Sequence, residues 1–366
     1  MKLEGVKVLD LSQFLPGPML TLMMADHGAD VIRIESPSGE PTRNIGYRKG
    51  EHTVWFRNTH RGKRSMVLNL RDEADYGRFI ELAKQADVIV EAFRPGVVDR
   101  LKVDYKTISA INPGIVYASI SAFGQTGRYR NNAAHDLAIQ AMAGVAALGL
   151  GQDGKPAMPA MPSADAVASL TALSGVLMAL LRRHTTGRGD YLDVSMMDSL
   201  LAWTPNVTGR VFATGLPHEP KMERSWGGNA MYNYYECADG RWLALGASEE
   251  KFAHNLLEGL GRMDLFPLAC LEPGAGQEPL REFFRETFLT RTLDQWMEWF
   301  ADRDVSAAPV RSLVDAFADP VVTEREMLSF DPEGNEIVGT PLRFANEPAR
   351  INPTVPKLNE HGDAQF

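Results

Sequence analysis

Val6-Lys-Val-Leu-Asp-Leu11, then Pro16-Gly17-Pro18, an apolar stretch from Met19 to His27, Gly28, and Ala29-Asp-Val-Ile-Arg-Ile-Glu35 form the stretch that decides the fold. The first run reads as a short strand bounded by turn residues. Pro16-Gly17-Pro18 signals a turn. The apolar stretch that follows reads as a helix, with Gly28 placed for its C-terminal cap. The run to Glu35 is a second strand. A strand, a helix and a second strand in this order make a β-turn-α-β unit.

The alternation continues downstream. Ser65 to Leu70 reads as a strand, Glu73 to Gln85 as a helix and Asp87 to Glu91 as an apolar strand. A further helix ends at Ile108 to Ile111, and Ile115 to Ile120 is again a strand. Strands alternating with helices predict a parallel sheet covered on both faces. The expected fold class is α/β with a doubly wound sheet, whose ligands sit at the carboxyl ends of the strands.

Beyond this sheet, apolar residues run almost without a break from Ala164 to Arg183 and predict a buried helix. It closes on Arg182-Arg183-His184, which suit the negative end of a helix dipole. Gly187 and Gly189 turn the chain into Tyr191-Leu-Asp-Val-Ser195. The polar, Gly/Pro-punctuated residues from about 209 to 225 read as a linker. Tyr232 to Glu236, Ala238-Asp239-Gly240 and Trp242 to Leu245 predict a hairpin. Helical stretches near 249–260, 280–289 and 293–302 complete a smaller domain, and the tail from Pro341 reads as extended.

The formal net charge of −9 argues against a nucleic-acid partner, because a large phosphate footprint needs a basic surface. Positive charge is clustered all the same: Arg43, Arg48, Lys49, Arg57, Arg61, Lys63 and Arg64 crowd one segment, Arg94 and Arg100 another. Taken alone, such clusters read as a solvated surface. No apolar run has the ~20 residues of a membrane span, so no membrane is expected. The N-terminus does not fit a secretory signal. Cys237 and Cys270 form no CxxC pair, which points to a reducing, cytoplasmic setting.

The motifs for common chemistries are missing. The histidines include no HxxxH or HExxH pair, so no metal is expected. There is no P-loop, and no GxGxxG in the turn Ser12-Gln13-Phe14-Leu15-Pro16, which weakens a dehydrogenase reading. No GxSxG elbow supports a serine hydrolase. Polar residues at segment ends remain. His135-Asp136 opens the apolar stretch Leu137 to Leu148, Asp165 opens the long helix after Pro162 and Ser163, and Glu249 opens a helix after the hairpin. Each has a plainer explanation: Asp165 and Glu249 suit helix N-termini, Ser163 could be a cap, and His135 could be a surface residue.

Many segments together resemble the CaiB/BaiF family of class III CoA-transferases and 2-methylacyl-CoA racemases. They are Val8-Leu9-Asp10-Leu11 with Pro16-Gly17-Pro18; Gly28 to Glu35; Lys63-Arg64-Ser65 with Leu68-Asn-Leu70; and Ala86 to Glu91 with Phe93-Arg-Pro-Gly-Val97. Further on come Ser119-Ile-Ser121 with Phe123-Gly-Gln-Thr-Gly127, Gly187-Arg-Gly189 with Leu192-Asp193-Val194, Ala238-Asp-Gly240, Ala316-Phe-Ala-Asp-Pro320 and Gly339-Thr-Pro341. The resemblance runs in order over almost the whole chain. It implies an interlocked homodimer with a large Rossmann-like CoA-binding domain over 1–208, a linker over 209–225 and a smaller α+β domain over 226–310. Residues 311–366 return to complete the large domain. It also implies that CoA, as part of the substrate and with no other cofactor, lies along the large domain. Phe93, Arg94, Arg100, Leu70 and Leu101 match the family's adenine and phosphate region, with Arg33 a further candidate. Arg side chains suit the phosphates of CoA.

The same resemblance implies two chemistries. Transferases use an Asp, here Asp165, as a nucleophile that forms a mixed anhydride and then an aspartyl-CoA thioester. Racemases use that Asp as one base and a His, here His135, as the other, with a Glu, here Glu249, holding the His. The Asp136 N–H, at a helix start, would hold the enolate oxygen. Ala134 stands where racemases tend to have Gly, and the context of Asp165 favours neither branch. Formyl-CoA-type transferases carry Gln in place of Leu15 and Tyr in place of His135, and no Gly-rich covering loop is found near Gly246-Ala-Ser-Glu249. Racemisation of a 2-methylacyl-CoA is therefore the leading expectation, with CoA transfer to a carboxylic acid the alternative. A CoA-binding protein without catalysis fits least, because all three polar positions are filled. Met19, Met23 and Met161 are candidates for an acyl pocket, or plain core.

Overall fold

The computed structural model describes residues 1–151 and 154–366. The chain divides into two compact units. The first comprises residues 1–146, 158–204 and 319–366, and the second residues 147–157 and 205–318.

The first unit is built on six strands and the helices between them. In chain order its main elements are β1 (Lys7–Asp10), α1 (Pro16–Asp26), β2 (Asp30–Glu35), β3 (Arg64–Val67), α2 (Glu73–Gln85), β4 (Val88–Glu91), β5 (Val116–Ser121), α3 (Asp136–Met142), α4 (Ser163–Thr186), β6 (Tyr191–Ser195) and α5 (Met196–Ala202), with shorter helices at Val54–His60, Val97–Leu101 and Tyr105–Ile111. The spatial order is β3-β2-β1-β4-β5-β6, with every neighbouring pair parallel. The mixed α/β architecture expected from the alternation is present. The order reverses between β1 and β4, which is where such sheets bind ligands.

Alternation along each strand sends side chains to two cores. Val8, Val31, Val88, Val90, Val116 and Ala118 pack with α1 and α4 on one face. Leu9, Ile32, Ile89 and Tyr117 pack with Phe79 and Leu82 of α2 on the other. The last segment folds back on this unit, where Asp331 pairs with Arg57 at 2.9 Å and His361 N–H donates to the Ser65 carbonyl at 2.9 Å.

Three expectations change. Helix α1 begins at Pro16 rather than Met19, because proline is tolerated in the first turn, where no N–H is required. Helix α4 is only half buried. Ala164, Ala168, Ser169, Ala172, Leu173 and Val176 face the core, while Leu170, Leu177, Met178 and Leu181 are exposed on the single chain. At 24 residues α4 also meets the length and composition of a membrane span, contrary to the sequence reading, yet its small-residue face is part of the sheet's core. Finally, the supposed linker holds a short helix, Gly209–Thr214.

The second unit has β7 (Tyr232–Glu236), β8 (Trp242–Gly246), α6 (Glu250–Gly259), α7 (Glu278–Phe288), α8 (Leu293–Phe300) and β9 (Ala307–Pro309). Its three strands pair antiparallel in the order β9-β8-β7. Tyr235, Phe284, Phe288, Trp296 and Phe300 fill its core.

The junction of β5 and β6 has no room for a side chain at Gly189. A Cβ there would lie 1.8 Å from the Ile115 carbonyl oxygen, a main-chain atom that cannot turn away. Gly189→Ala is expected to destabilise the protein by about 1–3 kcal/mol, read as a lowered melting temperature.

Candidate active site

At the carboxyl ends of β2, β1 and β4 lies a groove of about 290 Å³. Four of the residues assigned to CoA line it: Arg33, Leu70, Phe93 and Leu101. Arg94 and Arg100 do not line it. Both are exposed on the short segment after β4, where the Arg100 guanidinium lies close to Gly96. Buried Glu91, at the end of β4, fixes that segment by accepting the Phe93 N–H at 2.8 Å. Burial pushes the Glu91 carboxyl up to about 7 against the hydrogen bonds from Ser119 and Phe93. Gln13, Asn69 and Arg71 also line the groove, and the sequence reading did not single them out.

Beneath the groove is a knot of buried charge. Asp10, wholly buried, accepts from Arg33 Nη1 at 3.0 Å, from Lys63 Nζ at 3.1 Å and from Thr21 Oγ1 at 2.6 Å. Burial raises its pKa, but the charges of Lys63 and Arg33 and the hydrogen bonds of Ser12 and Thr21 outweigh it and hold the carboxyl well below its usual range. Burial pushes Lys63 down to about 8 against the pull of Asp10. The second guanidinium arm of Arg33 meets Glu40. Glu40 in turn accepts from the Phe14 N–H at 2.9 Å.

This arrangement corrects the reading of the first basic cluster, most of which is neither a solvated face nor a set of free phosphate receptors; of its seven residues only Arg48 and Lys49 are exposed. Arg43 pairs with Glu35 at 2.6 Å, Arg57 with Asp331, Arg61 with Asp26, Lys63 with Asp10, and Arg64 with Asp30 at 2.5 Å. Arg57, Arg61 and Lys63 are buried, and a buried cation requires such a carboxylate. The same holds for Arg33, whose charge is matched by Asp10 and Glu40.

Two candidates for chemistry, Asp136 and Asp165, meet at the start of α4. Asp136, in the first turn of α3, reaches across with its carboxylate: Oδ1 accepts from the Ala164 N–H at 2.8 Å and the Asp165 N–H at 3.2 Å. Gln140 Nε2 holds the other oxygen at 2.6 Å. Ser163 therefore is not the cap of α4, because the residue before it makes no side-chain cap and the acceptor comes from another helix. Asp165 is half-buried. Burial, then the charge on Asp136, push its carboxyl up to about 7. His135 is exposed, with its ring edge-on to Phe14 at 5.8 Å between centroids. Phe14 itself has φ +64°, a left-handed conformation that a bulky residue adopts only under constraint. One turn into α4, Ser169 Oγ donates to the Pro16 carbonyl at 2.7 Å and to the Asp165 carbonyl at 3.0 Å.

Glu249 belongs to the second unit. It is exposed and precedes α6, and its carbonyl accepts from Phe252 and Ala253 N–H. Its side chain makes no cap.

The sequence matches CoA-transferase family III over residues 3–362. The chain belongs to this family. An acetyl-CoA:oxalate CoA-transferase of Acetobacter aceti is 31% identical, over 99% of this chain and 94% of the relative. An alpha-methylacyl-CoA racemase of Mus musculus is 30% identical, over 92% of this chain and 84% of the relative. A CAIB/BAIF family protein from Brucella suis of known crystal structure superposes with a TM-score of 0.82 at 30% identity, covering 98% of this chain and 97% of that one. The CaiB/BaiF resemblance is thus established, and with it an acyl-CoA-processing enzyme family that includes both transferases and racemases.

The raised carboxyl of Asp165 has a consequence for stability. The unfolded chain ionises this group near 3.8 and the folded protein near 7, so folding is opposed increasingly as pH rises between those values and by a constant amount above them. Asp165→Asn removes the conflict. The melting temperature of the variant is expected to exceed that of the unaltered protein by a margin that widens from pH 5 to pH 7 and then levels.

Proposed function

We propose that this protein is a CoA-transferase that moves CoA from an acyl-CoA donor to a carboxylic acid, with Asp165 as the nucleophile. The observation that carries this reading is the Asp165 carboxyl itself. It is half-buried, stands in the first turn of the 24-residue helix α4 and is raised to about 7. A carboxylate of higher proton affinity is the better nucleophile, and at pH 8 it is mostly ionised. The transferase relative also pairs with more of this chain than the racemase relative does.

The steps balance without an outside reactant. The Asp165 carboxylate attacks the donor thioester carbon, and the C–S bond breaks to release CoA thiolate and leave a mixed anhydride. The thiolate attacks the aspartyl carbonyl, the donor acid leaves as its carboxylate, and Asp165 carries CoA as a thioester. The acceptor carboxylate then attacks that thioester, again forming a mixed anhydride and releasing the thiolate. Attack of the thiolate on the acceptor's acyl carbon yields the new acyl-CoA and frees Asp165. The adenosine end of CoA is placed in the groove against Phe93, Leu70 and Leu101. The exposed Arg94 and Arg100, on the segment that follows β4, serve its phosphates together with Arg71, the one of the three that lines the groove. Arg33 is a wall of the groove and not a phosphate receptor. The CoA moiety of the substrate is the only carrier required.

A homodimer belongs to the same proposal. Leu170, Leu177, Met178 and Leu181 make an exposed apolar face on α4, the kind of face a second copy covers, and the family resemblance implies that the two chains interlock. The protein is placed in the cytoplasm, with no nucleic-acid or membrane partner.

Racemisation is the second reading. His135 stands exposed beside the Asp136–Asp165 contact, where it can serve as the opposing base. In that reading the Asp136 N–H holds the enolate oxygen, and Glu249 is the carboxylate that the family resemblance assigns to the histidine.

Mass spectrometry separates the two. During turnover with a donor and an acceptor acid, hydroxylamine is expected to trap Asp165 as its hydroxamate, and Asp165→Ala to lose both adduct and activity. His135→Ala is expected to keep most of the transfer rate. Exchange of the α-hydrogen of a 2-methylacyl-CoA in deuterium oxide without any acceptor acid, abolished by His135→Ala, would instead establish the racemase.

A further inference from the structure

A carboxylate in the first turn of a helix ordinarily receives the free N–H groups there and the positive end of the dipole. Both favour its charged form and weaken it as a nucleophile. Asp165 stands in such a turn. Yet the free N–H groups of Ala164 and Asp165 are both turned to one oxygen of Asp136, at 2.8 and 3.2 Å. Gln140 holds the other oxygen at 2.6 Å, so Asp136 is braced from its own helix. Among the described residues, no group donates a hydrogen bond to the Asp165 carboxylate.

We propose that Asp136 is a positioning residue for the nucleophile: it takes the main-chain donors at the start of α4 and leaves the Asp165 carboxylate bare and reactive. This rests on the reading of Asp165 as the attacking group. The arrangement fixes the backbone on which Asp165 is carried and withholds from its side chain the donors that would quiet it. It also sets a second negative charge beside the first, which acts with burial to raise the Asp165 carboxyl. On the elements packed against α4, the other charged or histidine side chains are Asp26, Asp193, Asp198 and His135. Asp26, the one charge on α1, pairs with Arg61 at the far end of that helix. Asp193 of β6 accepts the Gln125 N–H at 3.0 Å. Asp198 lies in the first turn of α5, and exposed His135 directly precedes Asp136 on the chain.

Asp136→Asn is the informative variant. Its amide oxygen still accepts from Ala164 and Asp165 N–H, and the Gln140 amide can turn to present its oxygen to the new NH2. The cap survives and the charge is lost. With carbon-13-labelled aspartate, NMR titration follows Asp165 directly, without any need for catalysis. The ionisation midpoint of Asp165 is expected near 7 in the unaltered protein and lower by about one unit or more in Asp136→Asn. The rate of Asp165 trapping at pH 8 is expected to fall several-fold with the melting temperature little changed. A merely structural cap moves neither midpoint nor trapping rate in Asp136→Asn. An unchanged midpoint in that variant, with trapping at the unaltered rate, overturns the assignment of Asp136 and leaves the transferase reading standing. The expected midpoints with no Asp165 adduct from any acyl-CoA overturn the nucleophile reading and uphold the electrostatic role of Asp136. Should the variant fail to fold, the unaltered protein decides: an Asp165 midpoint in the ordinary carboxylate range overturns the proposal.

Discussion

The contact of Asp10 with Arg33 and Lys63 is the constraint on which the ligand end of the sheet depends. All three side chains are withdrawn from water, so each charge needs the others. Removing one partner leaves an uncompensated charge at the ends of two central strands. The knot also fixes what lies above it. Lys63 donates to the Pro18 carbonyl at 2.9 Å, and Thr21 of α1 donates to Asp10, so the turn after β1 and the first turns of α1 share one anchor. Arg33 carries the constraint to Glu40, and Glu40 to the Phe14 N–H, whose left-handed backbone sets an aromatic edge against His135. From the same turn, the Pro16 carbonyl meets Ser169 on α4, one turn beyond Asp165.

A binding groove and a reactive carboxyl thus share a scaffold without sharing residues. The groove takes its walls from the ends of β2 and from the segments after β1, β3 and β4. The carboxyl sits on α4 and is governed by α3. This division suits a substrate with a long carrier and a small reacting group, since the carrier's contacts are fixed by the sheet and the chemistry by two helix ends. On the proposed reading one scaffold supports transfer and racemisation alike: a thioester placed near Asp165 serves both, and the surrounding acids and bases select the outcome.

How far the sequence reached depends on whether a feature is local. The strands Val8 to Asp10 and Val88 to Glu91 are legible because a parallel strand buried on both faces is mostly apolar, here up to the acid at its carboxyl end. Helix α2 is legible from end to end because Asp72 caps it locally. The groove residues Phe93, Leu70 and Leu101 came from resemblance, not from spacing. The features that escaped depend on distant partners. Nothing near Asp26, Asp30 or Asp331 announces that each neutralises an Arg of the 57–64 segment, so a set of ion pairs looked like a basic surface. Nothing near Ser163 shows that Asp136 caps α4 from 27 residues upstream. The near-continuous apolar run of α4 looked like a buried helix, although in one chain only the face with Ala164, Ala168, Ala172, Leu173 and Val176 is covered. Arg71, a cation at the groove, carried no motif at all.

The most direct measurement follows oxygen. With an acceptor acid whose carboxylate is labelled with oxygen-18, the anhydride route transfers one acceptor oxygen to the Asp165 carboxyl in each turnover. The account predicts that in the first turnover the peptide containing Asp165 gains one oxygen-18 per product formed while other carboxylates stay unlabelled, and that in later turnovers the label leaves with the released donor acid. Formation of the new acyl-CoA with no label in Asp165 would contradict it.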